Sequence, residues 1–132
     1  FRKNVDSVIL GTGTYWEGIN VEGESLSQVI IFKLPFPVPE PIMEYKMSKA
    51  ECPLLEVAVP EMVIKLKQGA GRLIRNAGDK GIVSILDPRA SSRIKTAYRE
   101  DALSSLPENN TTENITELKR FWRKIREENN NE

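Results

Sequence analysis

The sequence predicts an α/β layered domain in which helices pack against a parallel β-sheet. Nearly continuous apolar runs, rich in β-branched residues and bounded by Gly, Pro or Asp, are typical of strands buried on both faces of such a sheet. A long segment with helical periodicity separates the last two runs, and the order strand, helix, strand favours an α/β fold. The three predicted strands are Val5–Thr12, Ser27–Leu34 and Gly81–Asp87.

Two helices are predicted between the second and third strands, one near Ile42–Ala50 and a longer one near Leu55–Arg75. At about 100° per residue, the longer helix has an apolar face that should pack on the sheet. Gly78 and Gly81 are expected to end this helix and to open the third strand. The apolar face consists of Val59, Met62, Val63, Leu66, Ala70, Leu73 and Ile74.

The opposite face of the longer helix gathers Gln68, Gly71, Arg72 and Arg75. A glycine in a helix interior costs about 0.5–1 kcal/mol relative to alanine, so Gly71 there would indicate that another backbone or a ligand comes close. Two guanidinium groups one turn apart match phosphate oxygens in pairs. The pattern alone leaves two interpretations open, a phosphate-binding face and a solvated face with surface arginines.

Charge and composition exclude several other classes of site. Nineteen basic and nineteen acidic residues cancel, so any anion site must be local. The single cysteine, Cys52, excludes an internal disulfide and a Cys-based zinc site, and the chain has no histidine, so no metal site is expected. No apolar run approaches the roughly 20 residues that span a bilayer, which predicts a cytoplasmic protein with no membrane partner.

Two further segments carry charge or amphipathic character. The segment Arg89–Glu100 is either a solvated helix face or a track for a DNA backbone, while Asp87 with Arg89 is expected to form a structural ion pair that caps the third strand. The polar tail 109–132 holds an amphipathic helix over Glu117–Glu128, which should dock on the domain rather than on a partner, and a frayed end. The basic residues of the first segment are Arg89, Arg93, Lys95 and Arg99, and the apolar residues of the second are Leu118, Phe121, Trp122 and Ile125.

Two motifs in order resemble superfamily 2 helicases of the XPD/DinG branch, nearer to DinG. Q-x-x-G-R-x-x-R at Gln68–Arg75, followed by a strand that ends D-x-R at Asp87–Arg89, is similar to motif VI. GTGTYWEGINVEG at Gly11–Gly23 is similar to motif V, and KLPFPVP at Lys33–Pro39 to the family's K-L-P-F-x-x-P. The chain departs from motif V with Tyr15 for Phe, Glu22 for Pro and Asn20 for Asp, and Asn20 carries no charge.

The resemblance implies a RecA-like (P-loop NTPase-type) second motor domain over residues 1–108, incomplete at its N-terminus because the chain starts at Phe1. It implies that ATP is held with Mg²⁺ mainly by a first RecA-like domain of the same chain, because G-x-x-x-x-G-K-[ST] occurs nowhere in these residues. The implied catalytic residues are Arg72 and Arg75, the nucleotide-binding residues Gln68, Gly71, Glu17, Gly18 and Asn20, and the DNA-binding residues Thr12, Gly13 and Thr14.

The implied activity is that of an ATP-dependent DNA helicase in DNA repair, acting on single-stranded or forked DNA, and the fragment alone is predicted to be inactive. One alternative is an ATP-gated regulatory half of a DinG-like exonuclease. Another is a non-catalytic phosphate- or protein-binding α/β module. Without the resemblance, the Gly-Thr-Gly-Thr run is what an ordinary strand-to-loop turn contains. Trp16 and Phe36 could stack on bases, but residues of this kind more often belong to a core.

Overall fold

The computed structural model of the protein describes residues 7–12, 26–73, 80–107 and 111–129. Two strands in these ranges, β1 (Gln28–Ile31) and β2 (Ile82–Ile85), form a parallel sheet in which Gln28 is in register with Ile82. The parallel pairing is as predicted. The predicted first strand is wrong over residues 7–12, which form no strand, and its remaining residues lie outside the described part.

Four helices are present in the described ranges. They are α1 (Pro41–Lys49), α2 (Val59–Ala70), α3 (Arg99–Ser104) and α4 (Ile115–Asn129). A π-helical turn, Leu54–Ala58, leads into α2, and a 3₁₀ turn, Pro88–Ala90, follows β2. The short predicted helix near Ile42–Ala50 is confirmed by α1. The predicted helical face over Arg89–Glu100 is wrong, because α3 begins only at Arg99.

Helix α2 ends at Ala70 and not at Arg75, and Gly71 is its C-cap rather than an interior residue. The backbone N–H of Gly71 still donates to Lys67, but the N–H groups of Arg72 and Leu73 donate to Gly69 and Ala70. The backbone hydrogen bonds therefore change from an acceptor four residues back to one three residues back. This change tightens the last turn and ends the helix. Gly71 has a φ of −65°, so its backbone conformation is open to any residue.

The core lies between α2, α3 and one face of the sheet. Met62 and Leu66 of α2 are fully buried, as is Ala102 of α3, and they join Ile31 of β1. Burying one large aliphatic side chain stabilises the fold by about 1.5–3 kcal/mol. The predicted apolar face of α2 is confirmed at its described positions, and Ile74 lies outside them. The buried core cluster consists of Ile31, Leu34, Val59, Met62, Leu66, Tyr98 and Ala102.

The other face of the sheet is partly open in the described part of the chain. Ile30 is 48% exposed, and Phe32 and Leu86, which follow the two strands, are 67% and 56% exposed. The prediction of strands buried on both faces is therefore wrong for these residues. Helices α2 and α3 cover the face that carries Ile31, and they leave the opposite face without a complete apolar layer.

Helix α4 confirms the amphipathic helix predicted in the tail. Asn114 accepts a hydrogen bond through Oδ1 from the N–H of Thr116, which satisfies a donor in the first turn of the helix. Ile125 is 5% exposed, and Lys80 Nζ lies 2.6 Å from Glu128 Oε2. The buried apolar side chain and the ion pair support the predicted docking of this helix on the domain, next to the start of β2.

Candidate functional site

The structure brings three of the motif VI residues together at the end of α2. Gln68 is exposed on the last turn of the helix, Gly71 caps it, and half-buried Arg72 follows directly. Leu66, two residues before Gln68, is fully buried in the core, so this end of the helix is held in place by packing. Arg75 lies outside the described residues, and its assignment stays a prediction.

The preceding turn of α2 limits the space beside Gly71. A Cβ atom built on this glycine would lie 3.1 Å from the carbonyl oxygen of Lys67 and 3.6 Å from that of Gln68. The first distance is tighter than most real Cβ contacts, so a side chain here would push against the last turn of α2. Both close atoms belong to the last turn of α2, so among the described residues no other segment approaches Gly71.

Most of the motif V candidates lie outside the described residues. Thr12 is described and exposed. Gly13, Thr14, Glu17, Gly18 and Asn20 are not, and their assigned roles stay predictions.

Asp87 joins the carboxyl ends of the two strands. Its carboxylate is almost fully buried and accepts a 2.8 Å hydrogen bond from the N–H of Leu34, just after β1. Arg89 donates to the same carboxylate from its backbone N–H at 3.0 Å and from Nη2 at 2.6 Å. The Arg89 side chain, chiefly, and these N–H groups hold the pKa of Asp87 far below its usual value against the effect of burial. The predicted ion pair and strand cap are confirmed.

The guanidinium of Arg89 also covers Phe36. Its Cζ lies 5.0 Å from the centre of the Phe36 ring, and that ring meets Tyr98 edge to face with centroids 5.2 Å apart. Phe36 packs against the core cluster, which supports the structural interpretation of this residue over base stacking. Trp16 lies outside the described residues.

A cluster of hydrogen-bond donors surrounds the Glu113 carboxylate, and the sequence did not predict it. Glu113, just before α4, accepts hydrogen bonds from the Ser92 N–H at 2.6 Å and from the Ser91 and Ser92 hydroxyls at 3.1 Å each. Arg99 Nη2 lies 3.6 Å from its Oε1. The Ser92 N–H, first, and then the hydroxyls and Arg99 lower the pKa of Glu113. The adjacent serines Ser91 and Ser92, within the basic segment Arg89–Glu100, are the sequence feature that could have indicated this cluster.

The described residues contain neither a metal-binding cluster nor a membrane-spanning helix. No cluster of three or more Cys, Asp or Glu side chains suited to a metal ion occurs among the described residues. None of the helices in the described ranges has the length and apolar character to cross a bilayer.

The parallel two-stranded sheet with its helices is consistent with the family that the sequence matches. Residues 1–109 match the model of the helicase C-terminal domain. The chain belongs to this family, and the predicted resemblance to DinG-like helicases is confirmed.

The named relatives are much longer than this chain. It is 40% identical over 126 residues to the ATP-dependent DNA helicase YoaA of Haemophilus influenzae, covering 92% of this chain and 19% of that protein. It is 39% identical over 119 residues to the 3'-5' exonuclease DinG of Bacillus subtilis, covering 86% of this chain and 12% of that protein. The chain thus spans about a fifth or less of these relatives. No solved structure matches it.

Proposed function

We propose that these residues form part of the second motor domain of an ATP-dependent DNA helicase. In this proposal Arg72 and Arg75 reach ATP held with Mg²⁺ on a first RecA-like domain, and the chain acts on single-stranded or forked DNA. The observation that carries the proposal is the position of Arg72 at the end of a helix whose other face is buried. Relatives named ATP-dependent DNA helicases support the reaction class.

The chemistry needs positive charge at a fixed place. Hydrolysis of ATP develops negative charge on the transferred phosphoryl group, and an arginine from a second domain contributes about 10³–10⁵ in rate. The core holds α2 through Met62 and Leu66, so the guanidinium of Arg72 would reach the nucleotide only when the two domains close. Gln68 and Gly71 would set the geometry of that approach, with Glu17, Gly18 and Asn20 completing the nucleotide contacts.

Domain closure would be coupled to DNA through motif V. Thr12, Gly13 and Thr14 supply short hydroxyl and N–H donors, which suit the phosphates of a DNA backbone. Closure on ATP and reopening after hydrolysis would then move the two domains along a single strand.

The test is ATP turnover by the full-length protein. Arg72→Ala should lower kcat by a factor of about 10³ or more, and Arg72→Lys should restore little because one ammonium does not reproduce the planar fork. Arg123→Ala, an exposed position on α4 outside both motifs, is the matched control and should hydrolyse ATP at the parental rate. Parental turnover by Arg72→Ala would contradict the proposal.

A second candidate is suggested by the Bacillus subtilis relative, which is named an exonuclease. In that case ATP-driven closure would gate the degradation of DNA instead of its unwinding. Incubating full-length protein with a forked duplex separates the two, because unwinding leaves both strands whole and an exonuclease shortens them. The remaining alternative was a non-catalytic phosphate- or protein-binding module that shares only the α/β fold. Membership of the helicase family counts against it.

A further inference from the structure

The Ser91–Ser92 turn is a ready-made site for an oxyanion. The Glu113 carboxylate accepts hydrogen bonds from the Ser92 N–H and from the hydroxyls of Ser91 and Ser92. The guanidinium of Arg99 lies next to the same carboxylate. Hydroxyls, backbone N–H groups and arginine are the donors that proteins use for phosphate oxygens. The carboxylate of Glu113 therefore lies at a position where a phosphate group would meet the same donors.

The surroundings of this turn favour a polyanion over a single carboxylate. Arg93 and Lys95 lie one and three residues after Ser92 and are exposed, and neither has an acidic partner among the described residues. Arg89, by contrast, is paired with Asp87. Two exposed cations beside an oxyanion site suit a chain of phosphates.

The position of the turn in the fold adds a third argument. It follows the carboxyl end of β2, where the contacts between Asp87, Arg89 and Leu34 fix the start of the segment. In parallel α/β sheets, ligands bind beyond the carboxyl ends of the strands. The segment is thus held at the edge of the sheet where a ligand is expected.

We infer that Ser91, Ser92 and Arg99, flanked by Arg93 and Lys95, bind a phosphate of single-stranded DNA, and that Glu113 occupies this site in competition with the DNA. The tail that carries Glu113 thereby lowers the affinity for DNA until the strand displaces it. This inference rests on the proposed function for the choice of DNA as the polyanion, and it adds a contact outside both helicase motifs.

The experiment measures binding of a fluorescent deoxythymidine 20-mer to the full-length protein without nucleotide, at several salt concentrations. Glu113→Gln should bind DNA at least 3-fold more tightly at low salt, because a neutral amide competes less strongly with a phosphate for these donors. The slope of log affinity against log salt should steepen by about 0.7, the value for one added phosphate contact on a single strand. Glu127→Gln removes the same charge from an exposed position of the same tail and should change affinity less than 2-fold.

A second substitution connects the gain to this site. Arg99→Gln added to Glu113→Gln should abolish the gain in affinity. If Glu113 only caps the turn, Glu113→Gln will melt earlier and bind DNA like Glu127→Gln, and the inference is overturned. Tighter binding of inorganic phosphate by Glu113→Gln without tighter DNA binding would also overturn it, because the site would then serve a free phosphate.

A variant that leaves Glu113 in place guards against a failure to fold. Arg93→Gln with Lys95→Gln should weaken DNA binding at least 3-fold relative to Arg120→Gln with Arg123→Gln, two exposed cations of α4. Equal binding by the two pairs would overturn the inference. Absence of DNA binding by the parent protein would contradict the proposed function instead, so the two failures are distinguishable.

Discussion

At the scale of single residues, Asp87 links the two strands most directly. Its carboxylate accepts hydrogen bonds from Leu34 after β1 and from Arg89 after β2, and it is nearly fully buried. Replacing a buried carboxylate with this many donors is costly, because each buried donor left without a partner lowers the stability of the fold by about 1–3 kcal/mol. The D-x-R spacing predicted the pair, but only the structure shows that Leu34 shares the same carboxylate.

Asp87→Asn should therefore lower the free energy of unfolding by about 1–3 kcal/mol, because the amide cannot accept from all of these donors. In the folded protein the pKa of the Asp87 carboxyl is lowered. The stabilising contribution of Asp87 is therefore complete above the unfolded pKa of about 3.9, and it is lost progressively as the pH falls from there toward the folded pKa. Urea unfolding at pH 7 and pH 3 should show the deficit of Asp87→Asn shrinking at the lower pH. Asp101→Asn, at an exposed position, is the control, and a deficit no larger than that of this control would contradict the role of Asp87.

At the scale of elements, α2 supports the arginine that the proposal needs. Its periodicity predicted the buried face correctly, but the predicted end was too late by several residues. Leu73 continues the apolar period and is buried, although it already lies in the turn after the helix. Periodicity reports which side chains are buried and cannot separate the last helical turn from a tighter turn that follows it.

Leu66→Ala should lower the free energy of unfolding by about 2–5 kcal/mol, because a fully buried leucine leaves a cavity against the sheet. Ile64→Ala, on the same helix but 54% exposed, should cost much less and serves as the control. Chemical unfolding of both variants measures the difference. Equal losses would show that the helix does not pack through the face described here.

The segment 91–98 shows why local pattern was insufficient elsewhere. Its spaced basic residues suggested a helical face, but hydrogen bonds from Ser91 and Ser92 to Glu113 hold it in turns. Glu113 is more than twenty residues away in sequence, and a contact at such a separation leaves no periodic signal. The cluster of donors around Glu113 was not predicted from the sequence for the same reason, because its members are far apart in the chain.

At the scale of the whole molecule, the described residues contain a two-stranded sheet with one well-covered face. Ile30, Phe32 and Leu86 remain substantially exposed on or beside the other face. The parallel pairing, α1, α4 and the family were predictable from the sequence, because they follow from apolar patterns and motifs. The exposure of the second face and the non-strand course of residues 7–12 were not, since burial depends on which other elements pack there.

In the proposed function, Arg72 contacts negative charge that exists only in the transition state of ATP hydrolysis. The most direct measurement compares the affinity of full-length protein, with Mg²⁺ and single-stranded DNA, for ADP and for ADP with aluminium fluoride, which mimics the transferred phosphoryl group. We predict that Arg72→Ala weakens binding of the fluoride complex at least 100-fold and binding of ADP less than about 3-fold, since transition-state analogues report contacts that the ground state lacks. An unchanged ratio of the two affinities would contradict the account.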